Sequence, residues 1–583
     1  MFALQVNVDT EVNDQVRYAI DPRQKVLFDA GEAMFSPMAI KRLREDWPGL
    51  FRSQILHLMP VGKLAEHFDP TEGCRTKELY SMAGTIFLKE FLNLTIQQTV
   101  QRYLFDSQWH YALNVVPNTA SISHASVERY ARLFVEDNLA TEVFQRVTSA
   151  LIEALDLDVS RQRLDSTHVF SDMATFGRSK LMGVVIKRFL TQLKRHHRGA
   201  YDALPAALLE RYAPSQASLF GDFKGTRPQL RQVIAEDLLC LVNRFAEDQA
   251  VTARTNYQAM VRVLNEQCQV NEDKTVVELK ATPGVETMVN PSDPQATYDG
   301  RKGQGYQAQL AETCSPSNDA QLITGVEAEP AHRCDQDAVE PMLDQLEAHG
   351  RKPRELVADT AYGSDSNVEG AAARGVDLQS PVGGKQPAEG RLTLNDFVIE
   401  PSDETVLRCP NGCRPASSVH DKQTGRTTTW MEASDCSACP LRGRCPVKPA
   451  RRRFVLRHTP AERRLAGRRA HQATEAFRKS YAIRAGIESL NSGLKRRTGM
   501  GRLRTRGRPR VRMAVLLRCA GWNLLRALAA MNKRIKRAAA AAASTLCPPW
   551  THWTDSQAAP ELRDGHLTRF PRRSLAAPAL AAA

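Results

Sequence analysis

The chain opens on MFALQVNVDTEVND, a stretch with no lysine or arginine and no apolar run of leader length. A secretory leader needs both, so none is expected here. Long apolar runs are scarce throughout, none approaching the ~18 residues that span a bilayer, and no internal repeat is visible. These absences predict a folded cytoplasmic chain without a membrane partner. With 583 residues, 42% of them hydrophobic, it has material for about three or four domains. Acids are scarce in one place. Between positions 451 and 540 only Glu462, Glu475 and Glu488 stand against 26 lysines and arginines, a net +23 in a chain whose total is +14. The rest of the chain is therefore acidic. Charge segregated this way is the footprint of a nucleic-acid partner, because neutralising phosphates releases counterions. An ordinary solvated surface would intersperse its acids.

Disulfides are not expected among the twelve cysteines of such a chain. Seven are scattered, and five cluster in CPNGC and CSACPLRGRC as Cys409, Cys413, Cys436, Cys439 and Cys445. Short cysteine pairs on either side of a hairpin-length gap are how a zinc ribbon presents four thiolates tetrahedrally. Five candidates for four places leave the ligand set of a structural Zn²⁺ open, and reduced thiols without metal are the alternative.

Residues 1–150 read as a helical DNA-binding domain. RTKELYSMAGTIFLKEFLNLTIQQTVQRYLF carries long apolar periodicity, and Ser123 is placed to cap a helix whose Val127, Tyr130 and Phe134 fall at helical spacing. Two short helices joined by a turn suit a helix-turn-helix there. From 151 to 383 the pattern becomes mixed α/β with a helical insertion. RQRLDSTHVF is β-prone and carries Asp165. Positions 306–313 and 321–329 read as strands joined by CSPSND, EPMLDQLEAHG as a helix closed by Gly350, and 356–358 as a buried strand delivering Asp359. SNVEGAAARG then reads as a helix and VDLQSPV as a last strand. That order predicts a mixed sheet with a parallel part. Residues 384–455, rich in Pro, Gly and Thr and holding the cysteine cluster, read as an inserted cysteine-rich subdomain. Residues 456–532 resume the domain with a basic helix, RLRTRGRPRVR as an extended segment, and MAVLLRCAGWNLLRALAAM as a helix with an apolar face. Residues 533–583, rich in Ala and Pro, read as a disordered tail.

Within the basic tract, YAIRAGIESLNSGLKRR places Tyr481, Arg484, Glu488 and Lys495 at offsets 0, 3, 7 and 14. At about 100° per residue these fall within about 60° of one helical face. A lone carboxylate therefore sits amid cations. Open α/β sheets bind ligands at the carboxyl ends of their strands. Asp359 ends one strand, Asp165 lies in another, and Glu488 projects from a helix able to pack across the sheet. Three carboxylates from separate elements make an oxygen-only site suited to Mg²⁺ or Mn²⁺. Two such ions hold the attacking and leaving oxygens of a phosphodiester in line. Singly, each acid has a plainer role as turn residue, helix cap or partner of Arg484; jointly they point to chemistry.

The tract matches Y-x2-R-x3-E-x6-K at all four positions and so resembles the signature of DDE transposases of bacterial insertion sequences. DTAYGS, with Asp359, Ala361 and Tyr362, resembles the motif around that family's second aspartate, although here the aromatic directly follows the alanine. LDSTHV resembles the strand of its first aspartate, with Asp165. DPQATYDGRKGQGYQAQLAET and CSACPLRGRC are similar to segments of the subgroup with a helical N-terminal domain and a cysteine-bearing insertion. The resemblance spans roughly residues 30–530. It implies a ribonuclease H-like catalytic core, hydrolysis of a phosphodiester at the element's end with Mg²⁺ or Mn²⁺, and attack of the freed 3′-hydroxyl on target DNA. It implies Asp165, Asp359 and Glu488 as catalytic metal ligands and Tyr481, Arg484 and Lys495 as contacts to DNA near the scissile phosphate. Arg496, Arg506 and Arg508 of the same basic tract are further expected DNA contacts. The partners implied are double-stranded DNA, as terminal repeats and target, and further copies of the chain on DNA ends, at the nucleoid. Arg506-Gly507-Arg508-Pro509 also resembles an AT-hook, with a phosphate-contacting linker as its alternative. A non-catalytic terminal-repeat-binding repressor and a metal-dependent nuclease without strand transfer are the competing readings. The intact acidic triad argues against the first, and a strand-transfer assay separates the second.

Overall fold

A computed structural model describes residues 21–24, 29, 31–69, 72, 76–213, 219–221 and 223–546. Its central sheet has six strands: β1 (Arg161–Val169), β2 (Thr297–Asp299), β3 (Gly303–Thr313), β4 (Ile323–Pro330), β5 (Glu355–Ala358) and β6 (Asp377–Gln379). The order is β2-β3-β1-β5-β6, with β4 also paired to β3. β3 is antiparallel to β1 and to β4, while β5 runs parallel to β1 and β6 parallel to β5. Helices α1 (Val339–Ala348) and α2 (Asp365–Ala373) make the connections to β5 and β6. This is the hairpin, helix, strand, helix, strand order read from the sequence, with α1 followed by Gly350 at φ +66°.

Side chains alternate across a strand, and β3 uses the alternation to serve two layers. Tyr306, Ala308 and Leu310 enter the main core, and Ala311 joins a smaller cluster under α1 and α2 that includes Leu343, Leu346, Leu356 and Ala371. The main core is shared. Phe87, Phe134 and Val143 of the N-terminal helices meet Leu310 of the sheet, Leu490 and Leu494 of α3 (Gly486–Thr498), and Leu517 and Leu524 of α4 (Arg508–Leu546). Ser123 caps helix His124–Glu136 as expected, accepting from Ser126 N at 3.1 Å, and Val127, Tyr130 and Phe134 are buried. Buried Arg351 ties helix Leu139–Leu155 to β4, donating to Gln145 Oε1 at 2.7 Å and Thr324 O at 3.0 Å. Burial pulls its pKa down to about 10.

Two further layers have cores of their own. Helices Arg178–His196, Arg227–Arg244 and Thr255–Gln267 pack around Phe189, Leu238 and Met260. Strands Ser417–Asp421, Arg426–Met431, Phe454–His458 and Lys448–Pro449 form an antiparallel sheet over Phe397, Val406, Met431 and Leu456.

Two expectations change. The segment read as extended basic chain ends at Gly507, φ +80°, because Arg508 and Pro509 already open α4; proline's fixed φ is tolerated in a first helical turn, where its missing N–H costs nothing. The tail read as disordered from 533 is helical through Leu546, since an alanine run is the best of helix formers. Residues 547–583 lie outside the described residues. The described residues up to Asn532 form one compact unit and those from Lys533 belong to a second. Among the described residues one helix, Arg508–Ala541, is long and apolar enough to cross a membrane, and 72% of its apolar window is buried inside the protein. Its residues from Val511 to Ala530 supply the part that lines the core.

Candidate active site

β1 and β5 run in parallel register from Arg161 opposite Glu355 to Leu164 opposite Ala358. The next residues are Asp165 and Asp359, so the two aspartates emerge side by side. β1 continues to Val169 paired with β3, which leaves positions 166–169 an open edge where β5 has ended. Asp359 caps the turn Thr360–Tyr362, its Oδ1 accepting from Ala361 N at 2.8 Å. Behind it, buried Tyr362 donates to Gln309 Oε1 at 2.5 Å. Burial, and then Asp335 and Asp165, hold that phenol well above its ordinary pKa.

The single helix expected from Tyr481 to Lys495 is broken. Helix Glu475–Tyr481 gives way to a 3₁₀ turn, Ala482–Ala485, before α3 starts at Gly486. The cause lies on the sheet. Arg163 on β1 stands opposite Glu312 on β3, pairs with it, and donates Nη1 to Ile483 O at 2.8 Å. A Cβ on Gly486 would stand 2.0 Å from that Nη1. The tight turn and the glycine let the chain settle on the arginine. Tyr481 stacks on Phe477, with ring centroids 5.4 Å apart and planes at 9°.

From the 3₁₀ turn, Arg484 directs its guanidinium into the acids. Nη2 lies 3.3 Å from Asp165 Oδ1 and 3.8 Å from Asp359 Oδ2, and Nη1 lies 3.7 Å from Glu488 Oε1. All three sequence-nominated carboxylates thus surround one cation. Their side-chain exposures rise from 14% at Asp165 through 36% at Asp359 to 74% at Glu488, so the cluster opens to solvent on the helix side. Burial raises the Asp165 pKa; Arg484 opposes that and Asp359 adds to it.

Two site residues escaped the sequence reading. Asn491 donates Nδ2 to Asp165 Oδ2 at 3.1 Å. Its position, three after Glu488 and four before Lys495, was the available signal. Lys302 reaches the residue after Asp165, with Nζ 2.8 Å from Ser166 Oγ and 3.1 Å from Gln307 Oε1; its only signal was a place in GRKGQG. Half-buried Lys495 has its pKa lowered by burial and then by Lys302. Arg496 is exposed. Arg506 and Arg508 have acidic neighbours of their own, Asp172 at 3.0 Å and Glu327 at 3.6 Å.

The five clustered cysteines line one cavity together with Leu392, Met431 and Val447. Burial pushes the Cys436 thiol up to about 11, with Cys445, Cys409 and Cys439 contributing. Among the described residues no group of three or more His, Cys, Asp or Glu is spaced to hold a metal ion as it stands. The acids are arranged around a guanidinium and the thiols around a cavity.

Residues 408–528 match the model of a family described as transposase DDE domain. The span contains the five cysteines, Tyr481, Arg484, Glu488 and Lys495; Asp165 and Asp359 precede it. No curated protein and no solved structure matches the chain. That match falls on the segment carrying the glutamate and its arginine, and over it the chain is similar to a transposase DDE domain.

Proposed function

We propose that the chain binds the ends of an insertion sequence, hydrolyses a phosphodiester there and joins the freed 3′-hydroxyl to target DNA. One observation carries the reading: carboxylates from β1, from the end of β5 and from α3 meet at a single guanidinium. A transposase domain implies DNA as its partner, and such domains use divalent metals. The three acids are hard oxygen donors already facing a cation, a donor chemistry that fits Mg²⁺ or Mn²⁺. Asp165, Asp359 and Glu488 would hold the metal, which when bound neutralises charge on the attacking and leaving oxygens. Arg484 suits bidentate phosphate binding and exchanges its carboxylates for a phosphate as DNA arrives. Asn491 keeps Asp165 oriented during that exchange. In this reading Tyr481, Lys495 and Arg496 contact the strand.

A ribonuclease H-like core is part of the proposal, supported by a sheet whose first three strands are antiparallel and whose last two run parallel to β1. In it the helical region 1–150 recognises terminal repeats, 151–383 and 456–532 make the catalytic domain, and 384–455 is an inserted subdomain. Four of the five clustered cysteines bind a structural Zn²⁺, and zinc found by elemental analysis of protein purified without chelator checks this. The active species is an oligomer on DNA ends at the nucleoid. Purified protein incubated with the DNA flanking its gene and Mg²⁺ should yield joined products. Cutting without joining would make it a nuclease, and binding without either would make it a repressor.

A further inference from the structure

The turn between β2 and β3 is held rigidly against β1. Asp299 Oδ1 accepts from the backbone N–H of Arg301 at 2.8 Å and of Lys302 at 2.6 Å. Gly305, at φ +134°, comes so close to β1 that a Cβ there would stand 2.6 Å from Val169 O. Lys302 is thereby delivered to a set position, with its ammonium on Ser166 Oγ. Ser166 follows Asp165 and so faces the opposite side of the sheet. Lys495 approaches from the other side, on α3, which covers the face bearing Asp165. The two lysines therefore flank the open edge of β1 beyond Ala358, one from each face.

Their charges are poorly matched at this edge. An ammonium has three donors. Lys302 places its hydrogen bonds on two neutral acceptors, Ser166 and Gln307, and its nearest acid, Asp335, is 3.7 Å away and already accepts from Gln309 Nε2 at 3.0 Å. Lys495 has no hydrogen bond or ion pair to any described residue. Lys302 also adds to the effect of burial in lowering the pKa of Lys495, and Asp165 opposes both. Like charges brought to one edge destabilise each other until an anion arrives between them, and a backbone phosphate is such an anion.

We infer that Lys302 is a second phosphate-binding lysine of the active site, acting with Lys495 across the open edge of β1 on the strand presented to Asp165. The inference rests on the DNA-processing reading above. The plainer role, pinning the turn to β1 through Ser166, needs the hydrogen bonds of Lys302 and not its charge.

The test uses the full chain, a fluorescent duplex taken from the DNA flanking its gene, and Ca²⁺ in place of Mg²⁺ so that binding is read without cleavage. Lys302→Gln keeps hydrogen-bonding capacity and removes the charge; Lys302→Arg keeps the charge. For Lys302→Gln the slope of log affinity against log salt should shrink by about 0.9, the share of one phosphate contact, with affinity down about tenfold and the melting temperature unchanged. Lys302→Arg should hold the parent slope. A parent-like slope in Lys302→Gln, or an equal loss of slope in both variants, overturns the inference while leaving the parent's DNA binding as it was. Failure of the parent to bind the duplex at all removes the DNA reading itself, and this inference with it.

Discussion

Arg163 and Arg484 meet the same broken helix and treat carboxylates in opposite ways. Arg163 is buried, gives Nε to Glu312 Oε2 at 2.8 Å and Nη2 to the same carboxylate, and commits Nη1 to Ile483 O. Burial raises the Glu312 pKa and Arg163 pulls it back. Arg484 divides itself among three acids, none nearer than 3.3 Å, and its Nε is buried without a partner among the described residues. One pair is saturated and sets where the 482–485 turn rests. The other is shared and leaves its carboxylate oxygens free to change partner. A buried ion pair is weak ground for stability, but removing one member strands the other; the first arginine is therefore framework, and the second, under the proposed function, serves the chemistry.

The sharpest test of that division is Glu488→Gln. It keeps shape and removes an anionic oxygen that a hard cation needs, so Mg²⁺-dependent cleavage should fall by orders of magnitude. DNA affinity should hold or rise slightly, because a negative charge facing phosphates is gone. A variant that binds flanking DNA and cuts it at the parent rate in a gel assay would return Glu488 to the role of an exposed ion-pair partner. On the framework side, Arg163→Met leaves Glu312 buried and unpaired and should cost about 3–5 kcal/mol in denaturant unfolding; a loss below about 1 kcal/mol would mean the pair does not carry the frame. Gly486→Ala should be smaller, about 1–3 kcal/mol in the same measurement. Alanine is the better helix former, so a stabilised variant would show that Arg163 can move aside.

The smallest effect is expected at Asp165, and its sign follows from burial. A carboxyl whose folded pKa is raised contributes stability below its unfolded pKa and loses it as pH rises through the folded value. Asp165 is such a group. Asp165→Asn cannot ionise, so it should melt slightly higher than the parent near neutral pH, with the gap closing as pH falls below the ordinary carboxylate range. A gap that widens on acidification would show that Arg484 outweighs burial there.

Local sequence was enough to determine several parts of this protein. The short apolar run before Asp359 can only be a buried strand, the β-prone segment around Asp165 pairs as one, and Ser123 caps the helix its spacing announced. These depend on neighbours a few residues away, whose periodicity is written in the chain. The Y-x2-R-x3-E-x6-K spacing likewise nominated a glutamate and an arginine that the fold brings together with Asp165 and Asp359. The helical phase used to explain that spacing tightens to 3₁₀ across 482–485, where Arg163, more than 300 residues earlier, donates to Ile483 O. Arg484 meets Glu488 at helical i,i+4 spacing, and Asp165 and Asp359 only because the strands bring them there. Asn491 and Lys302 join the site, and the N-terminal helices share the core of the sheet, through contacts between segments that no spacing rule connects. Hydrogen bonds within a helix or turn are settled by local composition. Which distant carboxylate a guanidinium meets is settled by how the strands register and by what is buried between them, and that only the tertiary structure decided.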